Sequence, residues 1–390
     1  MIDADMDWKR YVTVRGGLPN VAEALKTRAL TIGYLGGSVT MMKHGWRPLL
    51  HEWFNDRFSR FGPHRQLNAA RGGVGSASGA FVVQSEICGK SPDLVFVEFA
   101  INDSYPALTP PALRLEMIEG IVRAVRRRHP QCDLCFVYMI HVLQRRAIAG
   151  AIRTYERVAE HYGIPSIQAG RFMTDLIAGG KWIWMPSRLV KGRWRPVSPR
   201  GRTILFRDEC HPTPEGNRVL TDLLARCAAG LIRRASPPRA LPAALSRWSV
   251  DAGRIEPVTR KMIDGPCRRI TELVGNYLRP LKYYSLPIGT RLRIQTPRAV
   301  VGLMVVVGPR SGLIECRGGG KVARRNLFDR WCSYRRACTV ILIDGRQDMS
   351  RKGVTTLVSL IGQRPDYSVC PMLKKPPPRR TLDVAAVFTV

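Results

Sequence analysis

The strongest constraint on the fold is a regular alternation of short apolar runs with amphipathic helical runs through the first 233 residues. The apolar runs are rich in β-branched side chains, as in DLVFVEFA at 93–100. The helical runs repeat apolar residues every three or four positions, as at Leu113, Met117, Ile121 and Val125. This alternation predicts an α/β fold in which a parallel sheet is covered by helices on both faces. The predicted strands end near residues 35, 69, 100, 140 and 168.

The pattern changes after a Pro- and Ala-rich stretch, ASPPRALPAAL, at 235–245. Beyond it, and mainly from Tyr277 onward, short β-rich runs indicate a small antiparallel sandwich. The sequence therefore predicts four parts, which are a lead-in over 1–28, an α/β domain over 29–235, a linker over 236–246 and a β-rich accessory domain over 247–390.

A candidate nucleophile follows the first predicted strand, in the stretch ALTIGYLGGSVT at 29–40. Gly36 and Gly37 allow the backbone to turn sharply, so the hydroxyl and N–H of Ser38 can both face solvent above the sheet edge. A simple Gly-Ser turn at the end of a strand explains the same residues. The stretch alone therefore leaves both readings open.

A candidate base lies in the sequence DECHP, just before a helix with Thr213 as N-cap and Pro214 at the first position. Of the seven histidines, His211 has a carboxylate three residues earlier, at Asp208. That spacing lets Asp208 accept from Nδ1–H of His211 and leaves Nε2 to take a proton from serine. The D-x-x-H pattern is weak by itself.

Two further residues could bind the oxyanion of an acyl-transfer intermediate together with the N–H of Ser38. Asn102 follows a strand and offers an amide donor, and Gly73 in a glycine-rich loop offers a backbone N–H. Each also fits an ordinary turn. All of these candidates follow strands whose carboxyl ends meet at one sheet edge, where ligands of such folds bind.

The segments GGSVT, NAARGG, EFAIND and DECHP resemble, in order, the four blocks of the SGNH hydrolases, also called the GDSL lipase/esterase family. The resemblance covers about residues 29–234 and implies a flavodoxin-like three-layer α/β/α fold that hydrolyses O-acyl esters. It implies Ser38 as nucleophile, His211 as base and Asp208 as the group that orients it. It also implies Ser38, Gly73 and Asn102 as the oxyanion hole. Gly37 departs from the family, which usually has Asp there.

Three aromatic residues are candidate substrate contacts, namely Tyr105, Trp182 and Trp184. The two tryptophans lie in an irregular stretch at 179–202 that interrupts the strand–helix alternation. Their side chains could stack on a sugar or contact an acyl chain, and they could equally anchor the loop.

No cofactor and no metal are expected. The ten cysteines have no repeating spacing, and the C-x-x-C pair of Cys132 and Cys135 lies in or beside a predicted strand, on opposite faces, as core thiols do. The sequence offers no phosphate-binding glycine loop followed by Lys and no pair of histidines with metal-ligand spacing.

Charge bears on the possible partners. The 62 Lys and Arg against 30 Asp and Glu give a net charge of +32, which suits an acidic polysaccharide but also describes a merely basic surface. The basic residues do not interleave with aromatics in one module, so no specific nucleic-acid binding is expected. No apolar run approaches the roughly 18 residues that span a bilayer. No signal peptide is visible, which leaves the cytoplasm as the default expectation.

Together these features predict a serine esterase that hydrolyses O-acyl esters, O-acetyl above all, on a carbohydrate or polysaccharide. The same Ser-His-Asp site would also serve an O-acyltransferase, in which a sugar hydroxyl replaces water. A third alternative is a polyanion-binding protein built on a hydrolase scaffold.

Overall fold

The computed structural model describes residues 7–190, 193–196, 198, 200–233, 240–277, 279–373 and 375–390, with only the backbone at 188–190 and 193–196. Its contacts divide the chain into two compact units. The first consists of the residues up to Tyr105 together with Met117–Arg247, and the second of Pro106–Glu116 together with Trp248–Val390. The sequence places 106–116 in the α/β domain, whereas these contacts group that segment with the second unit.

The first unit contains a six-stranded sheet in the order β1-β6-β5-β4-β2-β3. Adjacent strands from β2 to β6 run parallel, and β1 pairs antiparallel with β6. Counted along the chain, the five parallel strands have the order 2-1-3-4-5, as in flavodoxin-like folds. The strands are β1 (Val12–Thr13), β2 (Thr31–Gly36), β3 (Arg65–Asn68), β4 (Leu94–Glu98), β5 (Asp133–Val137) and β6 (Ser166–Ile167).

Helices cover both faces of this sheet and complete the predicted three-layer α/β/α fold. One group is formed by α1, α3 and α8 packed on α9. In the other group, α4 approaches α6 at Gly79, which has Ile121 close by, and Arg123 of α6 donates to the hydroxyl of Tyr162 in α7. The helices are α1 (Pro19–Ala24), α2 (Ser38–Met41), α3 (Trp46–Phe58), α4 (Ser76–Glu86), α5 (Ala100–Asp103), α6 (Arg114–Arg128), α7 (Arg145–Tyr162), α8 (Ala169–Ala178) and α9 (Pro214–Arg233).

The irregular stretch at 179–202 and the residues just after it form short strands. They are β7 (Trp182–Ile183), β8 (Ser187–Val190), β9 (Arg193–Pro196) and β10 (Thr203–Ile204). β10 pairs parallel with β7, and β8 forms an antiparallel hairpin with β9. β10 leads directly into the loop that carries Asp208 and His211.

The predicted linker at 236–246 lies partly outside the described residues, which resume at 240. Its described part is hydrogen-bonded to α6. Glu119 of α6 accepts from the backbone N–H groups of Leu245 and Ser246, and Arg123 donates to the carbonyl oxygen of Pro242. These contacts hold residues 242–246 against α6.

The second unit is an antiparallel β-sandwich whose core is formed by apolar residues from both sheets, including Leu303, Val305, Ile314, Val358 and Val384. One sheet has the order β13-β14-β21-β16-β19, with β11 also pairing with β21, and the other has the order β12-β15-β20-β17-β18. The strands begin at Arg254, earlier than the Tyr277 expected from the sequence. They are β11 (Arg254–Pro257), β12 (Ile263–Asp264), β13 (Arg268–Glu272), β14 (Leu281–Pro287), β15 (Arg291–Ile294), β16 (Val300–Val307), β17 (Leu313–Gly318), β18 (Lys321–Asn326), β19 (Arg336–Ile341), β20 (Thr356–Leu360) and β21 (Thr381–Thr389).

Among the described residues, none of the helices has the length and apolar character that a membrane crossing requires.

Candidate active site

Ser38 is the first residue of α2 and follows a turn in which side chains are sterically excluded. A Cβ at Gly36 would lie 2.4 Å from Oγ1 of Thr40 and 2.8 Å from the backbone oxygen of Glu98. A Cβ at Gly37 would lie 2.5 Å from Oδ1 of Asn102. A Cβ atom does not approach other atoms this closely. Gly36 therefore cannot carry a side chain without moving backbone, whereas a side chain at Gly37 would have to displace the Asn102 amide.

Ser38, His211 and Asp208 form a continuous hydrogen-bonded chain. Nε2 of His211 lies 2.7 Å from Oγ of Ser38, and Nδ1 lies 2.8 Å from Oδ2 and 2.9 Å from Oδ1 of Asp208. With Nδ1–H donated to the carboxylate, Nε2 is the acceptor for the serine hydroxyl proton. This arrangement can activate a serine for attack on an acyl carbon.

Asp208 stays ionised over the range in which such a site works. Burial by itself raises the pKa of Asp208, but the hydrogen bond from His211 and the backbone N–H groups of Cys210 and His211 outweigh it and lower this pKa to about 2. A fixed negative charge next to Nδ1 stabilises the imidazolium that forms when Nε2 accepts a proton. The side chain of Asp208 is 37% exposed and that of His211 is 22% exposed, so the pair can be reached from solvent.

The loop that carries the pair is held at both ends. Phe206 and Pro212 form a β-bridge, and Arg207 donates its backbone N–H to the carbonyl oxygen of His211. Thr213 then caps α9, because its Oγ1 accepts from the N–H of Gly216. The sequence predicted this cap. The imidazole is therefore presented by a short, tied loop on a firmly started helix.

Asn102 lies beside the nucleophile turn, and the loop that carries the other candidate oxyanion donor, Gly73, is joined to that turn. The Asn102 amide is in contact range of Gly37, as described above, and the glycine loop is joined to the same turn by the hydrogen bond from the N–H of Arg71 to the oxygen of Gly36. Gly73 has a φ of +71°, a conformation that favours glycine, and no atom would lie within 4 Å of a Cβ there. Its backbone is therefore not covered on that side.

Asp103 connects the segments that carry the two donors. It is fully buried and accepts from the N–H of Ser76, at the start of α4, and from the hydroxyl of Tyr155 in α7. Asp103 follows Asn102 directly, and Ser76 lies three residues after Gly73. One carboxylate thus ties the glycine loop to the Asn102 turn.

The two tryptophans predicted to contact substrate, Trp184 and Trp182, lie in different surroundings. Trp184 stacks on Phe206 with centroids 4.6 Å apart and planes 8° apart, and Phe206 is two residues before Asp208. The guanidinium of Arg145 lies 5.5 Å above the Trp184 ring. Trp182 is half-buried in β7, where it pairs with Thr203.

Tyr105 has a partner that the sequence did not predict. Its hydroxyl lies 3.1 Å from Nε2 of His141, a residue in the loop after β5. That loop reaches the triad loop, because the N–H of Val142 donates to the oxygen of Glu209. The position of His141 just after the predicted strand at 133–140 was a usable signal, since residues there fall at the same sheet edge.

One cluster with possible metal ligands occurs in the described part of the chain, and it consists of Asp208, Cys210 and His211. Sγ of Cys210 lies 3.6 Å from Nδ1 of His211. A metal here would need Nδ1 and the carboxylate, which hydrogen-bond to each other, and a thiolate, although burial raises the pKa of the Cys210 thiol. The contacts of the three side chains therefore suit the triad better than a metal.

Comparison with known proteins identifies the family. Residues 31–219 match the model of the GDSL-like Lipase/Acylhydrolase family. The chain resembles the structure of a two-domain esterase active on acetylated mannans, co-crystallised with mannopentaose, at 16% identity and a TM-score of 0.73, over 98% of this chain and 97% of that one. A second structure of an esterase of that description gives 16% identity, a TM-score of 0.72 and 98% coverage of both chains.

An acetylxylan esterase from Geobacillus stearothermophilus is 14% identical with a TM-score of 0.40, over 52% of this chain and 94% of that one. No curated protein matches the sequence. The segment 31–219, which contains Ser38, Gly73, Asn102, Asp208 and His211, belongs to the GDSL-like lipase/acylhydrolase family, and the protein is a carboxylic ester hydrolase.

Proposed function

We propose that the protein is a serine esterase that removes O-acetyl groups from a carbohydrate. The observation that carries this proposal is the chain of hydrogen bonds from Ser38 through His211 to Asp208, with Oγ and Nε2 2.7 Å apart. A nucleophile, a base and an orienting carboxylate in this geometry are what acyl transfer through a covalent intermediate needs.

In the first half of the reaction, Oγ of Ser38 attacks the ester carbonyl carbon while Nε2 of His211 takes the hydroxyl proton. The carbonyl oxygen becomes an oxyanion, which the N–H groups of Ser38 and Gly73 and the amide of Asn102 stabilise. The tetrahedral intermediate then collapses, the bond to the alkoxy oxygen breaks, and that oxygen leaves with the proton from Nε2. The products are the free sugar hydroxyl and an acetyl group on Ser38.

In the second half, water replaces the sugar hydroxyl. Nε2 of His211 takes a proton from the water as its oxygen attacks the acetyl carbon, and the same oxyanion donors act again. Collapse releases acetate and returns the proton to Oγ of Ser38. Asp208 keeps its charge throughout and stabilises the imidazolium in both halves.

The proposed substrate class is supported by the likeness to solved structures. Two structures that resemble this chain over nearly its whole length are those of a two-domain esterase active on acetylated mannans. In this chain, Trp184 stacks on the fully buried Phe206 and has the Arg145 guanidinium over its ring, so this pair anchors the loop before Asp208 and is not counted as a sugar-binding face.

The test is a substrate panel in which acetate release is measured from acetylated mannan and acetylated xylan, beside aryl esters of increasing acyl length. We expect turnover of the acetylated glycans and, among the aryl esters, the highest kcat/KM for acetate. A preference for long acyl chains, with no acetate released from any glycan, would contradict the proposal. The Ser38→Ala variant provides the background rate.

The same panel separates the two alternatives. An O-acyltransferase would pass the acetyl group to an added sugar acceptor faster than to water, so acetylated acceptor is measured together with free acetate. A polyanion-binding protein on an inactive scaffold would not turn over aryl acetate. An esterase that also holds an acidic polysaccharide would bind it less tightly as salt is raised, because exposed charge attraction is screened.

A further inference from the structure

Glu98 is a buried carboxyl group directly beneath the nucleophile turn, and the mechanism above does not use it. It is the last residue of β4 and is 1% exposed. Its Oε2 accepts from Oγ1 of Thr40, two residues after Ser38 in α2, at 2.9 Å. Its backbone oxygen accepts from the N–H of Gly37 at 3.1 Å. Glu98 thus touches the nucleophile turn on both sides of Ser38.

The other carboxyl oxygen of Glu98 is unusual. Oε1 is buried and has no hydrogen-bond partner among the described residues. An ionised carboxylate in such a place would lack the donors that normally compensate its burial, whereas a protonated carboxyl group is much less costly to bury.

The titratable groups around Glu98 do not favour a negative charge. Asp103 of α5 carries a like charge that opposes ionisation of Glu98, and an ionised Glu98 would in turn oppose ionisation of Tyr155 of α7 and Cys210 of the triad loop. On the α2 side, Arg47 of α3 donates its Nε to the backbone oxygen of Thr40.

We propose that Glu98 is a positioning residue that supports the nucleophile turn as an uncharged carboxylic acid, and that its ionisation sets the alkaline limit of catalysis. Burial raises the pKa of Glu98 to about 8, opposed by the Thr40 hydrogen bond and the nearby backbone N–H of Gly37 and reinforced by Asp103. Above that pH an uncompensated negative charge lies next to the turn at which the oxyanion forms. It opposes the second negative charge of the transition state, so kcat falls while ground-state binding changes little.

This inference rests on the proposed esterase mechanism, and the experiment separates the two. The kcat and KM for an aryl acetate are measured from about pH 6.5 to 9.5 for the wild-type protein and for Glu98→Gln, which keeps the shape of the side chain and cannot ionise. We expect the wild-type kcat to fall by about tenfold for each pH unit well above 8 and that of E98Q to stay level, with KM unaffected in both. An alkaline fall in E98Q equal to that of the wild type would overturn the inference.

Two control variants identify the group that titrates. Asp133→Asn removes another buried carboxyl with a raised pKa, at the opposite end of the sheet, and should keep the wild-type alkaline fall. Cys210→Ala removes a titratable neighbour of Glu98 and should also keep it. Loss of the alkaline fall in C210A, with its retention in E98Q, would assign the limit to the thiol and refute the role of Glu98.

A second variant decides the question if E98Q does not fold. Thr40→Val removes the hydroxyl that stabilises the ionised form of Glu98, so the alkaline fall should move to higher pH, by roughly half a unit to one unit. An unmoved or lowered midpoint would overturn the inference. The Ser38→Ala variant is assayed in parallel, because full activity in S38A would reject the esterase mechanism itself and not the role of Glu98.

Discussion

The two edges of the parallel sheet differ in how some of their polar groups are hydrogen-bonded. At the amino edge, Asp93 accepts from the N–H of Thr31 and from Arg28, and Asp133 accepts from the N–H of Val21 and the amide of Asn20. Their oxygens are used to join neighbouring segments to the sheet. At the carboxyl edge, Nε2 of His211 is bonded to a hydroxyl whose proton it can take, and Oε1 of Glu98 has no partner among the described residues.

This difference separates support from chemistry. Carboxylates whose hydrogen bonds are satisfied hold strands and loops in place, and removing one costs stability. Groups that retain hydrogen-bonding capacity can exchange protons or stabilise a new charge, and removing one costs rate. The comparison can be tested by changing equivalent groups at the two edges and measuring kcat and unfolding separately.

The largest effect is expected for the triad. Ser38→Ala and His211→Ala should each lower kcat by roughly 10³-fold or more, and the double variant should lose little beyond either single one, because the two groups act as a unit. Melting temperatures should stay close to that of the wild type, since both side chains lie at the edge of the sheet. Asp93→Asn at the amino edge should show the opposite result, with a lower melting temperature and an unchanged kcat. Near-normal turnover by the Ser38 variant would refute the mechanism.

The next largest effect concerns the oxyanion donor. Asn102→Ala should lower kcat by roughly 10²-fold to 10³-fold with little change in KM, because the donor acts mainly in the transition state. Gly37→Ala should act in the same direction, since its Cβ would lie 2.5 Å from Oδ1 of Asn102 and displace the amide.

Asp103→Asn is the matched control for Asn102. It alters the buried carboxylate that ties the glycine loop to the Asn102 turn and should lower the melting temperature more than Asn102→Ala does. A larger loss of kcat at Asp103 than at Asn102, with KM unchanged, would show that the oxyanion donor is assigned to the wrong residue.

The sequence predicted those features that depend on local pattern. The order of strands and helices followed from apolar periodicity, and Ser38, Asp208 and His211 followed from residue types placed just after strands or before a capped helix. The lone Glu98 in the apolar run DLVFVEFA was also visible, but its unpartnered oxygen depends on how α2, α5 and the triad loop pack around it. That information is not local.

Long-range pairing explains the other gaps. β1 is two residues long, and only its pairing with β6 makes it a strand. The grouping of Pro106–Glu116 with the second unit reflects contacts distant in sequence. The residues at 242–246 were predicted as linker from their Pro and Ala content, yet Glu119 and Arg123 bind their backbone.

A smaller effect should follow from the hydrogen bonds that hold residues 242–246 on α6. Glu119, like the carboxylates at the amino edge, has hydrogen-bond donors for both of its oxygens. It is fully buried and accepts from the hydroxyl of Tyr162 and the N–H groups of Leu245 and Ser246. A chain cut after Pro238 loses two of these donors, whereas a chain cut after Arg247 keeps them. The longer form should be more stable by about 1–3 kcal/mol, measured by urea unfolding.

Both forms contain every proposed catalytic residue, so both should hydrolyse aryl acetate when folded. Equal stability of the two forms would mean that residues 239–247 act only as a linker.

The smallest expected effect compares one carboxylate from each edge through the pH dependence of stability. Burial raises the pKa of Asp133 to about 6, despite the opposing hydrogen bonds from Val21 and Asn20. The folded state therefore binds this proton more tightly than the unfolded chain, and the stabilisation from Asp133 is lost as pH rises from its ordinary value of about 4 through 6. Asp208, with its pKa lowered to about 2, contributes stability above about pH 4 that is lost as pH falls toward 2. Melting temperatures measured across this range should therefore change slope in opposite directions, by a few degrees, in Asp133→Asn and Asp208→Asn relative to the wild type. If both variants changed the slope in the same direction, the opposite shifts in the pKa values of Asp133 and Asp208 would be refuted.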